Sequence, residues 1–256
     1  MKKVYIAYTG GTFGMKPTPE GYQPDRGLAD ALAVVLPPAG RAGMPAWTLS
    51  EYAHLIDSAE AQPRDWHMIA SDIAARYAAF DGFVIVHGTD TMAYTASALS
   101  FALAGLRKPV IVTGSQVPLC EARSDARGNL LGALLIAANH CVPEVCLYFN
   151  GRLLRGNRAT KVSGADFDAF DSPNYAPLGR VGIEIAIDRA RLLPMPVSEA
   201  FELVAPGGRE VAVLKLYPGL SVARLERMLD PPLAGLVLKL YPGLSVARLE
   251  IGRAHV

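Results

Sequence analysis

At 256 residues, 51% apolar and 19% charged, the chain has the length and composition of a globular protein with a sizeable core, in one large or two modest domains. Its net charge of +1 gives no reason to expect nucleic acid or a membrane surface as a partner. Cys120, Cys141 and Cys146 are odd in number and irregular in spacing, which excludes a disulfide framework and a Cys/His metal pattern. They read as small buried hydrophobes in a reducing compartment. Met1-Lys2-Lys3 precedes too few apolar residues for a signal peptide, and no run approaches the length of a membrane span. The expectation is a soluble cytoplasmic protein with no metal and no cofactor.

Val4-Tyr5-Ile6-Ala7-Tyr8 predicts a short strand that ends in Thr9-Gly10-Gly11-Thr12. Paired glycines let the backbone approach a ligand closely and leave the Thr12 hydroxyl free on the loop; an ordinary Gly-Gly turn is the alternative. Neither a dinucleotide fingerprint nor a Walker lysine follows. Gly14, Pro17, Pro19, Gly21, Pro24 and Gly27 predict a mobile loop over 13–30, carrying Tyr22 either as part of a lid or as a surface residue. Residues 28–36 read as a helix stopped by Pro37-Pro38. A strand-like stretch after Trp47 leads to Leu55-Ile56-Asp57-Ser58, a loop before a second helix. Pro63 opens that helix, and Trp66, Ile69, Ile73, Tyr77 and Phe80 share one face. His67 reads as a surface or packing residue.

Phe83-Val84-Ile85-Val86 predicts a buried strand that turns at His87-Gly88-Thr89-Asp90-Thr91 into a helix with Met92, Thr95, Leu99 and Leu103 at helical spacing. A glycine, an aspartate and two threonines suit ligand chemistry at the carboxyl end of a strand better than they suit packing. A plain N-cap by Thr89 or Asp90 accounts for them equally well. Pro109 to Thr113, followed by Gly114-Ser115-Gln116, repeats the pattern. A helix from about Ser124 and a strand at Cys146-Leu147-Tyr148-Phe149 follow. The alternation predicts an α/β fold on a parallel sheet with right-handed crossovers.

Four strand ends would then present Thr12, Ser58, Thr89 with Asp90, and Ser115 on one side of the sheet. Several hydroxyls and carboxylates, few histidines and no phosphate loop suggest nucleophilic hydrolysis of a small polar substrate. A threonine needs a base to take its proton. Lys161, in Arg155-Gly156-Asn157-Arg158-Ala159-Thr160-Lys161, is the candidate, although those residues by themselves read better as a solvated basic turn.

These pieces resemble the L-asparaginase family, specifically its cytoplasmic bacterial type I branch. Thr9-Gly10-Gly11-Thr12 and His87-Gly88-Thr89-Asp90-Thr91-Met92 carry the likeness. Asp57-Ser58, Thr113-Gly114-Ser115-Gln116, Arg155-Gly156-Asn157-Arg158, Lys161 and the stretch Phe167 to Asn174 support it. The resemblance implies a doubly wound, mostly parallel sheet in an N-terminal catalytic domain, 1–187. It implies hydrolysis of L-asparagine to L-aspartate and ammonia through a β-aspartyl ester on Thr12, assisted by Tyr22. Thr89, Lys161 and Asp90 would form a second hydroxyl–base group. Asp90 would bind the substrate α-amino group and Ser58 its α-carboxylate, with Asp57, Ala59, Thr89 and Ser115 completing the binding set. The Thr89 N–H would be the oxyanion donor. At Ala59 the family often carries a hydroxyl, so one substrate hydrogen bond would be missing here unless a backbone N–H serves in its place. A homodimer or homotetramer is implied for the full-length protein.

Residues 188–210 read as a linker, and 211–237 as the truncated start of a second, smaller α/β domain: a strand from Val211, a helix over Leu225 to Leu229 and a strand at Leu236-Val237-Leu238. Leu214 to Glu226 then recurs unchanged as Leu238 to Glu250, followed by Ile251-Gly252-Arg253-Ala254-His255-Val256. Two identical copies fit no solenoid. Residues 238–256 are therefore expected to be an assembly artefact on a truncated gene, and the chain as written to be poorly soluble and weakly active. Two further functions compete with the asparaginase reading. The asparaginase-like subunit of a tRNA-dependent amidotransferase shares both threonine motifs but carries an extra N-terminal domain. A non-enzymatic amino-acid-binding module would have no use for Thr12, Thr89, Asp90 and Lys161 together.

Overall fold

The structure is a computed structural model that describes residues 1–205, 207–230 and 233–240. The second copy of the repeat therefore lies almost wholly outside the described residues, as does the closing hexapeptide. The chain divides into two compact units, Met1–Pro206 and one that begins at Gly207.

In the first unit the order is β1 (Lys3–Tyr8), β2 (Met15–Thr18), β3 (Gly21–Pro24), α1 (Leu28–Val35), β4 (Ala46–Glu51), α2 (Pro63–Arg76), β5 (Gly82–Val86), α3 (Met92–Ala102), β6 (Leu103–Ala104), β7 (Val110–Thr113) and α4 (Ala126–Asn139). Then come β8 (Val145–Phe149), β9 (Arg152–Arg155), β10 (Thr160–Lys161), β11 (Phe170–Asp171), β12 (Gly179–Val181), β13 (Ile185–Ile187) and β14 (Glu202–Leu203).

Eight strands form the central sheet in the order β13-β12-β9-β8-β7-β5-β1-β4. β4, β1, β5, β7 and β8 run parallel, and β9, β12 and β13 add an antiparallel edge. The inner parallel strands β1, β5, β7 and β8 are largely apolar on both faces because helices cover both, whereas the edge strand β4 carries Thr48, Ser50 and Glu51. Period-2 alternation sorts β1 cleanly. Val4, Ile6 and Tyr8 join one core with Leu28 and Leu32 of α1 and Leu130, Ala133 and Leu134 of α4. Tyr5 and Ala7 join the other with Ile69 and Ile73 of α2 and Met92, Ala96 and Leu99 of α3. This is the doubly wound, mostly parallel sheet that the sequence and its family resemblance imply.

The chain leaves β1 for the edge strand β4, then crosses back to place β5 on the other side of β1. That reversal makes the crevice between the carboxyl ends of β1 and β5 the topological switch point, where open α/β sheets bind ligands.

Local chemistry fixes the helix starts. In α2, Pro63 fills the first turn and the Asp65 carboxylate accepts the Gln62 N–H at 2.8 Å. In α4, Ser124 Oγ accepts the Ala126 N–H at 3.1 Å, while Asp125 occupies the N-cap position without capping. The residues just before the second unit are fastened to the first. β14 pairs with β6, Val204 N–H reaches Ala102 O, and Phe201 stacks on Tyr77 with ring centroids 3.9 Å apart.

In the second unit β15 (Val211–Lys215) and β16 (Gly235–Lys239) form a parallel pair joined through α5 (Val222–Met228). Leu214, Leu216 and Leu225 make its small core, and Val211, Val213 and Val237 remain exposed.

Two glycines of α4 give opposite predictions from one helix. A Cβ on Gly128 would meet nothing, whereas one on Gly132 would overlap the buried Tyr148 ring of β8. Gly128→Ala is expected to raise stability by about 0.5–1 kcal/mol. Gly132→Ala is expected to lower it by about 1–3 kcal/mol. Urea unfolding midpoints check both.

Candidate active site

Four parallel strands deliver their following loops to one crevice. β1 is followed by Gly10-Gly11-Thr12, β4 by Asp57-Ser58-Ala59, β5 by His87 to Thr91, and β7 by Gly114 to Gln116. The first three touch. A Cβ on Gly11 would collide with the backbone of Gly88, and one on Gly88 with the Ser58 side chain. Gly11 also sits at φ +85°, a conformation glycine adopts without strain. The loops therefore pack backbone to backbone. Thr12, half-buried in the short helical turn Thr12–Gly14, stands beside the turn that carries Thr89.

That second turn is braced from beneath. His87 is 1% exposed, and burial pushes its pKa down, so the ring is neutral at pH 7. Its Nδ1 lies 2.7 Å from Gly88 O, which can only accept, so Nδ1 carries the hydrogen. Nε2 then accepts the Thr95 hydroxyl from α3 at 3.0 Å. Thr91 Oγ1 donates to Ser58 O at 2.6 Å and ties the turn to the loop after β4. The N-cap reading of the 87–91 stretch fails on one point. Thr91 holds the N-cap position of α3 without a side-chain cap, and Thr89 Oγ1 and Asp90 Oδ1 are committed elsewhere.

They are committed to Lys161. Its Nζ donates to Thr89 Oγ1 at 2.9 Å and to Asp90 Oδ1 at 2.8 Å. Lys161 reaches them from β10, 71 residues further along the chain, because β10 pairs with β11 and so forms a hairpin beside α3. Arg152 holds the base of this hairpin through Asp168, Asp171 and Phe170 O. The Lys161 side chain is 20% exposed, and a cavity beside it is lined by Asp90, Tyr94 and Thr160. The basic turn that the residues alone favoured is thus a lysine aimed at a threonine.

Among the substrate-binding candidates, Ser58 is 4% exposed and faces Gly88. Asp57 Oδ1 accepts the Ala59 N–H at 2.9 Å, so that backbone group is already engaged. Ser115 Oγ is buried and has no hydrogen-bond partner among the described residues. Tyr22 is not gathered into the cluster. It lies on the β2–β3 hairpin, 46% exposed, and its hydroxyl donates to Glu121 at 2.7 Å. The Glu121 carboxylate thereby raises the phenol pKa.

Three residues of the site carry no role in the sequence reading. Gln116 Oε1 accepts the Thr89 hydroxyl at 3.0 Å, and its Nε2 donates to Asp166 O at 3.1 Å. The Asp125 carboxylate accepts the Gln116 and Val117 N–H groups, each at 3.1 Å. Asn129 Nδ2 donates to Gly114 O at 3.0 Å, and its Oδ1 accepts the Asn150 N–H. An Asp in the first turn of an apolar helix is a visible signal, but it reads as a cap. Among the described residues no group of three or more His, Cys, Asp or Glu is placed to hold a metal ion.

The family of asparaginase N-terminal domains matches residues 3–192, a span that includes every member of this cluster. L-asparaginase 1 of Escherichia coli strain K12 is 49% identical over 237 residues, which are 92% of this chain and 70% of that protein. The crystal structure of L-asparaginase I from Vibrio cholerae shares 47% identity at a TM-score of 0.85, over 93% of this chain and 71% of that one. The thermostable L-asparaginase of Thermococcus kodakarensis shares 32% identity at a TM-score of 0.78, over 92% and 70%. Two signature loops packed against each other at the switch point, a threonine–lysine–aspartate group built on them, and a match over most of the chain lead to one statement: the chain belongs to the asparaginase family.

Proposed function

We propose that this protein hydrolyses the side-chain amide of L-asparagine, with Thr12 as nucleophile. The observation that carries the reading is the Lys161–Thr89–Asp90 group on the turn that packs against the Thr12 loop. Thr12 Oγ1 attacks the amide carbon as its proton is taken up, and a tetrahedral intermediate forms. The amide nitrogen gains a proton and leaves as ammonia, which gives a β-aspartyl ester on Thr12. Water then adds to the ester carbon, the Thr12 oxygen leaves and recovers its proton, and aspartate is released. Lys161 acts as base through Thr89, and the Asp90 carboxylate pairs with the ammonium that Lys161 becomes.

The binding set follows from the chemistry of a zwitterion. Asp90 uses Oδ1 for Lys161, and among the described residues its Oδ2 has no partner and is available to an α-ammonium. Ser58 and the loop around Asp57 offer hydroxyl and N–H groups to an α-carboxylate. The Thr89 backbone N–H, also without a partner among the described residues, suits the oxyanion. Tyr22 would assist Thr12 only after its hydroxyl leaves Glu121, which makes the β2–β3 hairpin a lid that must move.

A cytoplasmic homo-oligomer completes the reading. Among the described residues no helix is long and apolar enough to cross a membrane. Tyr94 and Phe101, two turns apart on α3, are 67% and 69% exposed, which is surface of the kind that subunits cover.

Ammonia release from asparagine, assayed without tRNA, tests the reaction. Thr12→Ala, Thr89→Ala and Lys161→Met are each expected to lower it by about 10²–10⁴-fold. Any two combined should lose little more than one, because the groups act as a unit. Full turnover by Thr12→Ala would sink the reading. Tyr22→Phe is expected to lower kcat by about 10²-fold with KM near the parent value, a split that steady-state kinetics reads directly.

A further inference from the structure

Gln116 lies outside the set that handles asparagine in the reading above, yet it holds the far side of the Thr89 hydroxyl. Its carboxamide has a fixed orientation. Asp166 C=O can only accept, so the NH2 end faces Asp166 and the carbonyl end faces Thr89. The contacts then form a one-way chain. Lys161 Nζ donates to Thr89 Oγ1, Thr89 donates to Gln116 Oε1, and Gln116 Nε2 donates to Asp166 O, with heavy-atom distances of 2.9, 3.0 and 3.1 Å. The backbone of Gln116 is itself pinned by Asp125, so the amide is presented from a fixed point.

Thr89 has one hydroxyl hydrogen and two groups that compete for it. When Lys161 is an ammonium it can only donate, and the hydrogen stays on Gln116. When Lys161 is a free amine its lone pair can take the hydrogen, and the bond to Gln116 breaks. The Gln116 hydrogen bond therefore exists in one protonation state of Lys161 and is lost in the other. We propose that Gln116 is a positioning residue which parks the Thr89 proton away from Lys161 and so sets the pH at which the Thr89–Lys161 pair becomes competent as a base. This rests on the assignment of Lys161 as base through Thr89.

The charged and titratable groups around Lys161 are few. Asp90 is bonded to it directly from the catalytic turn. Tyr94 of α3 lines the same cavity. On the hairpin itself, Asp166 is bonded to Ser163 Oγ and Asp168 is paired with Arg152. None of these four side chains is bonded to the Gln116 side chain, which touches this hairpin through the Asp166 carbonyl.

The test is the dependence of kcat on pH, measured with the 256-residue chain and asparagine. Base catalysis by Lys161 gives a limb that rises with pH as the amine becomes free. Gln116→Met keeps the length of the side chain and removes the acceptor, so the ammonium loses its advantage. The rising limb is expected to move down by roughly half to one pH unit, the worth of one hydrogen bond. Gln116→Glu keeps an acceptor and adds a negative charge that favours the ammonium, so its limb is expected to move up. A residue that merely fills space would lower the plateau in both variants and leave the limb where it was; that result, or shifts of the same sign in the two, overturns the proposal. Thr12→Ala run alongside separates the two levels. If Thr12→Ala is silent and the Gln116 limbs do not move, the proposal alone fails. If Thr12→Ala releases ammonia normally, the reading of the site fails and takes the proposal with it.

Discussion

Everything at the crevice depends on a contact between backbones. Gly11 and Gly88 come from strands that are neighbours in the sheet but about 77 positions apart in the chain. A single Cβ on either would drive the loops apart. Thr12 and Thr89 follow these glycines directly, so the same absence of side chain that permits the contact brings the two residues to one crevice. Ser58 closes the third side against Gly88, and the Thr91 hydroxyl bonds its carbonyl. The parallel sheet contributes the other half of the constraint. Its strands β1, β5 and β7 are buried on both faces, so their ends have little freedom to shift.

Around that contact stands a second tier of polar groups whose task is to hold loops. Asp125 and Asn129 begin α4, yet both are spent on the loops after β7 and β8 rather than on the helix. Arg152 serves the Lys161 hairpin in the same way. Further from the crevice, buried Glu144 is paired with Arg155 and also accepts the Leu193 N–H, which fixes the end of the family-matched region against β9. Breaking such a buried pair by removing one partner costs more than the pair is worth, since a charge is left without compensation. The polar interior of this unit is thus concentrated where backbone leaves the sheet, and the helix faces between are left to aliphatic packing.

The elements most legible in the sequence were those whose signal is local. Periodicity and strong punctuation gave β1, β5 and β7 close to their observed limits, Pro63 marked the start of α2 although the helix ends at Arg76, short of Phe80, and Pro37-Pro38 stopped α1 where expected. The four loops that converge were also readable, because each pairs small polar residues with the end of an apolar run. What local signal cannot carry is partnership. Lys161 sits in a stretch that reads as a solvated turn, and only the β10–β11 hairpin, paired across nine positions, turns it toward Thr89. Family resemblance grouped Lys161 with Thr89 in advance, whereas periodicity could not. Gln116 and Asp125 were missed for the same reason. A glutamine after a strand and an aspartate before a helix have ordinary local explanations, and their roles lie in which acceptor faces which donor. Ala59 is another case: its N–H is taken by Asp57, two residues away, a local partnership that the residue types alone do not announce.

Tyr22 marks the boundary between the rigid and the movable parts of the site. The hairpin that bears it is exposed along almost its whole length and buries little apolar surface, so opening it costs little. Its tie to the body through Tyr22 is one hydrogen bond to a carboxylate, from Tyr22 to Glu121. A single hydrogen bond from an exposed hydroxyl is small against the packing that fixes Thr12 and Thr89. Glu121 belongs to the segment that continues from Gln116 through Asp125 into α4. The loop after β7 therefore holds both the acceptor of the Thr89 proton and the latch of the Tyr22 hydroxyl. One loop, anchored by Asp125, thus bonds both the Thr89 and the Tyr22 hydroxyls.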